Sequence, residues 1–275
     1  MIKDVIVKLE RNGSRRPIQE FAISVAETLN AHLTGVAFAD DGISNAIFAG
    51  VPTDIVQKVI EQNKADAQTE IDRFADISEK RLASVAHRLV VQSRLDMPDA
   101  FAEMARCADL SIIMQSDDGE YENNDATIEA TLFGSGRPML VVPYIQKAQL
   151  KLDRVVCCWD GGRPAARAIG DALPLLNMAG EVKMLTIARE DSLKPDCQAL
   201  EIAAHLARHD LKVDVEIMTS ADVNVADTIL NYVADNSVTL VVMGGYGHSR
   251  FREFVLGGVT RQMLSSMTVP VLLSH

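Results

Sequence analysis

The chain has four cysteines, Cys107, Cys157, Cys158 and Cys197, and no two of them form a Cys-x-x-Cys pair. Cys157 and Cys158 are adjacent on an expected strand, so their side chains point to opposite faces. That pattern reads as reduced core thiols rather than a redox centre. No apolar run reaches the ~18 residues that a membrane span needs. Basic charge is in short supply: 27 Lys and Arg stand against 38 Asp and Glu, for a net charge of −11. Phosphate backbones select basic faces, so the balance argues against a nucleic-acid groove as the main business of the chain. A Gly-x-Ser-x-Gly elbow is missing, and so is a Gly-Lys-Ser/Thr phosphate loop, which argues against serine hydrolases and P-loop kinases. The opening residues MIKDVIVKLE have only a short apolar run interrupted by charge. They read as a strand rather than a leader, and the expected compartment is the cytoplasm.

What is present is a globular composition, 48% hydrophobic and 24% charged over 275 residues. This length suits one large or two ordinary domains. Short apolar runs alternate with helical stripes. Asp4 to Lys8 reads as a strand, Ile18 to Leu29 as a helix and Leu33 to Phe38 as a strand. A mixed apolar loop covers Gly42 to Pro52. Thr53 to Ser84 reads as one long helix or two with a break. Strands follow at Leu89–Val91, Leu110–Met114 and Met139–Val142, with helices at Pro98–Ala108 and Thr127–Phe133 between them.

The second half repeats this order. Strands are expected at Arg154–Trp159, Val182–Ile187, Val213–Ile217, Leu240–Met243 and Val271–Leu273. Helical stripes lie between them, beginning near Ala165, Ala199, Val225 and Val259. A repeated order with different insertions implies an internal duplication. Strands alternating with helices imply parallel sheets with right-handed crossovers. The expected domains are residues 1–145 and 152–275, joined by a polar linker from Gln146 to Lys151.

The most informative stretch is Thr239 to Thr260, TLVVMGGYGHSRFREFVLGGVT. A β-branched apolar run is followed at once by Gly244, Gly245 and Gly247, and later by Gly257 and Gly258. Glycine after a strand lets backbone turn sharply and approach a ligand. The later pair sits where a helix begins, and a helix N-terminus favours an anion. The alternative is a tight strand-to-helix connection.

Gly244-x-x-Gly247, nine residues and then Gly257 resembles the nucleotide signature of the universal stress proteins. The resemblance is strong over 152–275 and weaker over 1–145. It implies an α/β fold of two flavodoxin-like (HUP-type), doubly wound parallel sheets in tandem. The ligand crevice of each sheet would lie between strands one and four. It also implies a stress-response role in which the carboxy-terminal domain binds an adenine nucleotide (ATP, ADP or AMP) as a non-catalytic sensor. Magnesium would be needed only with a triphosphate. A nucleotide-free interaction scaffold and a slow ATPase are the alternatives.

Carried over residue by residue, Asp160 matches the family's aspartate near the adenosine, although Asp-Gly is also a common turn pair. Ile187 ends the strand whose backbone reads adenine. Met243, Gly244, Gly247, Gly257, Gly258, Val259 and Thr260 fall on the signature itself. The family places Ser or Thr where this chain has Gly258, which removes one hydroxyl from the phosphate region. Thr260 is expected either to contact phosphate or to cap a helix. His248, Ser249, Arg250 and Arg252 lie between the glycines and would either help to neutralise phosphate or form a solvated loop.

The first unit lacks the signature. Its fourth strand runs into Gln115-Ser116-Asp117-Asp118, where acidic residues would repel phosphate. Glu10 stands where Asp160 stands in the second unit. The family joins subunits through the edge of its last strand. By analogy the units are expected to pair internally as a pseudo-dimer, and two chains to form a homodimer. A further protein partner is unspecified. His205 and His209 share a helix face, without a third ligand in the pattern that would make them a metal site.

Overall fold

A computed structural model describes residues 1–10, 17–42, 52–116, 124–147, 149–189, 197–220, 224–246 and 258–275. The chain divides into two compact units. Unit 1 comprises Met1–Arg137 with Lys147–Leu150, and unit 2 comprises Pro138–Gln146 with Lys151–His275.

Unit 1 contains β1 (Asp4–Lys8), α1 (Pro17–Leu29), β2 (His32–Asp40), α2 (Thr53–Ser78), β3 (Val85–Gln92), α3 (Met97–Ala105), β4 (Leu110–Met114) and α4 (Asp125–Gly134). Its strands run parallel in the order β3-β2-β1-β4. The order reverses between β1 and β4, where Val5 faces Leu110 and Val7 faces Ile112. All five residues of β4 are buried, as expected of a parallel strand covered on both faces. The core is completed by the apolar side of α1. Ile18, Phe21, Ala22 and Val25 are wholly buried there, each large side chain contributing roughly 1.5–3 kcal/mol.

The long helical stretch is a single helix, α2, of 26 residues. Its buried residues are Ala67, Glu70, Ile71, Phe74 and Ser78, all in its second half. That half sits on β2, where a Cβ at Gly35 would lie 2.5 Å from the Phe74 ring. Glycine is therefore the residue that lets Phe74 approach the strand. The first half carries side-chain pairs at helical spacing instead, such as Gln57 with Glu61 and Gln62 with Asp66. The expected loop between β2 and α2 lies largely outside the described residues.

Unit 2 contains β5 (Met139–Val142), β6 (Arg154–Cys158), α5 (Arg163–Leu176), β7 (Glu181–Arg189), α6 (Cys197–Ala207), β8 (Val213–Ser220), α7 (Val225–Asp235), β9 (Leu240–Gly244), α8 (Gly258–Ser266) and β10 (Val271–Ser274). Its strand order is β5-β10-β9-β6-β7-β8. Strands β6 to β10 are parallel to their neighbours, and β5 joins antiparallel at the β10 edge, Val141 facing Val271. Here the order reverses between β6 and β9. The central strands are buried throughout or nearly so, and the outer strand β8 is half exposed with Ile217 turned to solvent. No helix among the described residues is long and apolar enough to cross a membrane.

Candidate functional site

In unit 2 the reversal brings together the carboxyl ends of β6 and β9. Asp160, two residues beyond β6, is exposed. Its Oδ1 accepts the Gly162 N–H at 2.8 Å. Gly161 sits at φ +74°, and Gly162 leads into α5 with an extended backbone. A Cβ on Gly162 would approach Asp160 Oδ1 to 2.8 Å. The Asp-Gly-Gly sequence thus turns the chain from strand to helix and holds the carboxylate at the mouth of the reversal. The turn and ligand readings of Asp160 are compatible in this geometry, because one oxygen serves the turn while the side chain stays exposed.

The β9 side is tighter. Met243 is 5% exposed. A Cβ at Gly244 would fall 2.4 Å from Ala165 N and 2.6 Å from Pro164 C. The first turn of α5 fills the space, so packing alone demands glycine there. Gly245 N–H donates to Ser274 O at 2.8 Å. Tyr246 then adopts φ +60°, and its N–H donates to Thr260 Oγ1 at 3.2 Å. Thr260 is 4% exposed. Its hydroxyl ties the corner after β9 to the start of α8.

Gly258, the first residue of α8, is exposed, and a Cβ there would meet nothing within 4 Å. Val259 is half-buried. The α8 start is steadied from α7: Gln262 Nε2 donates to Asp227 Oδ1 at 2.6 Å, and Asn224 also bonds Gln262. Ile187 is half-buried near the end of β7, opposite Met218. The structure therefore brings Asp160, Met243 and Gly244 to one end of unit 2's sheet. Gly258, Val259 and Thr260 are linked there through Tyr246. Gly247, His248, Ser249, Arg250, Arg252 and Gly257 lie outside the described residues.

Cys158 lies on the last residue of β6. Burial, and then the Asp160 charge, push its thiol up to about 12. Burial, then Cys158, pushes Cys157 up further. Both are free thiols, as is the exposed Cys107. Trp159 falls two residues beyond the Cys157–Val242 pair, level with Gly244 and on the face that α5 covers. Trp159 is half-buried, with its indole N–H buried and without a hydrogen-bond partner among the described residues. His205 and His209 stack edge to face, with ring centroids 4.9 Å apart.

Residues 151–275 match the universal stress protein family. Those residues carry a universal stress protein domain. Slr1230, a universal stress protein of Synechocystis, is 36% identical over 67 residues; the match covers 24% of this chain and 22% of the relative. This chain thus spans about a fifth of that relative's length. Two solved structures match nearly end to end. A universal stress protein from Archaeoglobus fulgidus DSM 4304 is 13% identical with TM-score 0.75, covering 98% of this chain and 97% of that one. A functionally unknown protein from Pseudomonas aeruginosa PAO1 is 14% identical with TM-score 0.65, covering 99% and 92%. At such identity the likeness shows the fold, and its coverage supports the tandem arrangement.

In unit 1 the end of the first strand is built differently. Glu10 is 5% exposed and Lys8 7%. Lys8 Nζ lies 3.3 Å from Glu10 Oε1, which also accepts from Asn124 Nδ2 at 2.9 Å. Glu10 stands where Asp160 stands in unit 2, and nothing in that correspondence announces the Lys8–Glu10–Asn124 cluster. A lysine directly after the apolar run Val5–Val7, with a carboxylate two residues on, was the available signal. Asp117 and Asp118 lie outside the described residues.

Proposed function

We propose that unit 2 binds an adenine nucleotide at the reversal between β6 and β9 and acts as a non-catalytic sensor in the stress response. The observation carrying this reading is the exposed Asp160 carboxylate held at that reversal. A carboxylate at this place suits a ribose or an adenine amino group, and the N-terminus of α8 suits a phosphate. Gly258 brings bare backbone without a hydroxyl, so a triphosphate with magnesium has fewer side-chain partners than a shorter phosphate chain. Residues 1–145 and 152–275 are on this reading the two copies of the duplication. The protein works in the cytoplasm, where free thiols stay reduced, and two chains associate as a homodimer, a point that sedimentation at several concentrations checks.

The direct test is to denature freshly purified protein and identify any nucleotide released, then titrate ATP, ADP and AMP by calorimetry. Heat from at least one of them, abolished in Asp160→Ala, supports the reading; flat titrations with all three reject it. A second reading, a nucleotide-free interaction scaffold, draws on Gly244 and Thr260. Both are explained by packing and internal hydrogen bonding with no ligand present.

A further inference from the structure

Unit 1 buries charge where its sheet order reverses. Lys8 and Glu10 are two residues apart along one extended run, so they share a face. Both are more than nine-tenths buried. Asn124 is 1% exposed and immediately precedes α4. A residue in that place commonly caps its helix, yet the Asn124 side chain makes no cap bond. Its amide reaches Glu10 instead, across 114 residues of sequence. The Glu10 carboxylate is thus tied to β1 on one side and to the entrance of α4 on the other.

Net stability alone is a poor reason for such a cluster. Buried charges are costly to desolvate, and apolar residues of similar volume often do as well or better. The position is more telling. By chain order Lys8 corresponds to Cys158, Glu10 to Asp160, and Asn124 to the residue ahead of Gly258. In unit 2 the first two places hold a neutral thiol and an exposed carboxylate, and α8 opens on the exposed Gly258.

We propose that Glu10 is a built-in occupant: its carboxylate, clasped by Lys8 and Asn124, bridges β1 to α4 and keeps the crevice of unit 1 shut to nucleotides. The clasp stands whether or not unit 2 binds one. A side chain has become the ligand of its own domain, and the chain retains at most one crevice for a soluble anion.

Hydrogen exchange on the full chain tests the clasp. In Glu10→Ala, amides at the ends of β1 and at the start of α4 exchange on the order of 100-fold faster, as expected when one partner of a buried ion pair is removed. Formate at roughly 0.1 M restores their protection by replacing the lost carboxylate. It does so only while Lys8 is present, so a Lys8→Met/Glu10→Ala double variant stays unrescued. Wild-type exchange rates in Glu10→Ala, or equal rescue without Lys8, overturn the clasp. Should Glu10→Ala fail to fold, Glu10→Gln carries the test. It keeps an acceptor for Asn124 and loses the ion pair, and exchange accelerates by about tenfold; unchanged rates overturn the proposal. Photolabelling with 8-azido-ADP and peptide mapping test closure. Label confined to 151–275, or none at all, agrees with a shut unit 1. Saturable label within residues 1–137 overturns it, whatever happens in unit 2.

Discussion

At the end of β1 the chain buries a lysine and a glutamate against an asparagine. At the end of β6 the corresponding residues are a cysteine and an exposed aspartate whose Oδ1 accepts the Gly162 N–H of its own turn. The strands leading to these two places are alike: both are parallel, both lie beside the strand where the order reverses, and both open on a charged residue and continue through buried valines or isoleucine. Packing holds the apolar positions of a duplicated fold fixed, because a central parallel strand is covered on both faces. The residues just beyond the strand answer to no such demand. One copy can fill its crevice with its own side chains while the other keeps the same place accessible.

The comparison breaks first at Gly244. If unit 2's turn is as tightly built as its backbone implies, Gly244→Val drives a side chain into the first turn of α5. It should then cost about 3 kcal/mol or more, by overpacking against backbone that cannot yield. Chemical denaturation followed by Trp159 fluorescence reads the loss, since Trp159 is the chain's single tryptophan and lies in unit 2. A variant as stable as the parent would mean that α5 moves freely. Thr260→Val comes next. It leaves the buried Tyr246 N–H without its acceptor, at roughly 1–3 kcal/mol. Equal stability would show that this corner is held elsewhere.

Asp160→Asn sharpens the contrast of charge against turn. The amide oxygen still accepts from Gly162, so stability changes by less than about 0.5 kcal/mol. Adenine-nucleotide affinity, measured by calorimetry, falls about tenfold with the charge gone. A variant losing stability and no affinity would reduce Asp160 to a turn residue. Gly258→Ser should leave stability unchanged, because a Cβ there meets nothing within 4 Å. Its new hydroxyl raises affinity for ATP by about fivefold, one hydrogen bond's worth; unaltered or weaker binding counts against phosphate at the α8 start.

The smallest effect concerns Cys158, whose thiol is raised from 9.0 to about 12. A raised acid titrates first in the unfolded chain. Its share of stability is therefore intact below about pH 9 and is lost as pH climbs toward 12. Iodoacetamide at pH 8 should modify exposed Cys107 and spare Cys158. Rapid labelling of Cys158 in folded protein would show that its surroundings open.

Much of this was legible in the sequence because burial on both faces leaves a plain mark. Leu110–Met114 and Leu240–Met243 are unbroken apolar runs, and both are strands. The duplication showed in their order. Edge strands were harder to bound. β3 begins at Val85, through Ala86, His87 and Arg88, because an outer strand can carry polar residues. The site was legible in part. The turn that holds Asp160 was visible locally, as Asp-Gly-Gly directly after a strand. The reasons for Gly244 and Thr260 lie in α5 and Tyr246, partners distant in sequence that no local pattern reveals. The antiparallel seat of β5 beside β10 was equally hidden, since a four-residue apolar strand says nothing of its neighbour.

The path of the chain through its two units has a bearing on evolution and on handling. Residues 138–146 belong with unit 2, the next four with unit 1, and the rest with unit 2 again. Any single scissor point between the halves strands a piece of one in the other. A gene truncated after residue 145 would encode a β5 without the β10 it lies against, and a gene begun at 152 would encode a β10 with its flank uncovered. Fusion, once made with this exchange of segments, is hard to undo: neither descendant could be inherited alone without first regrowing what its sibling supplies.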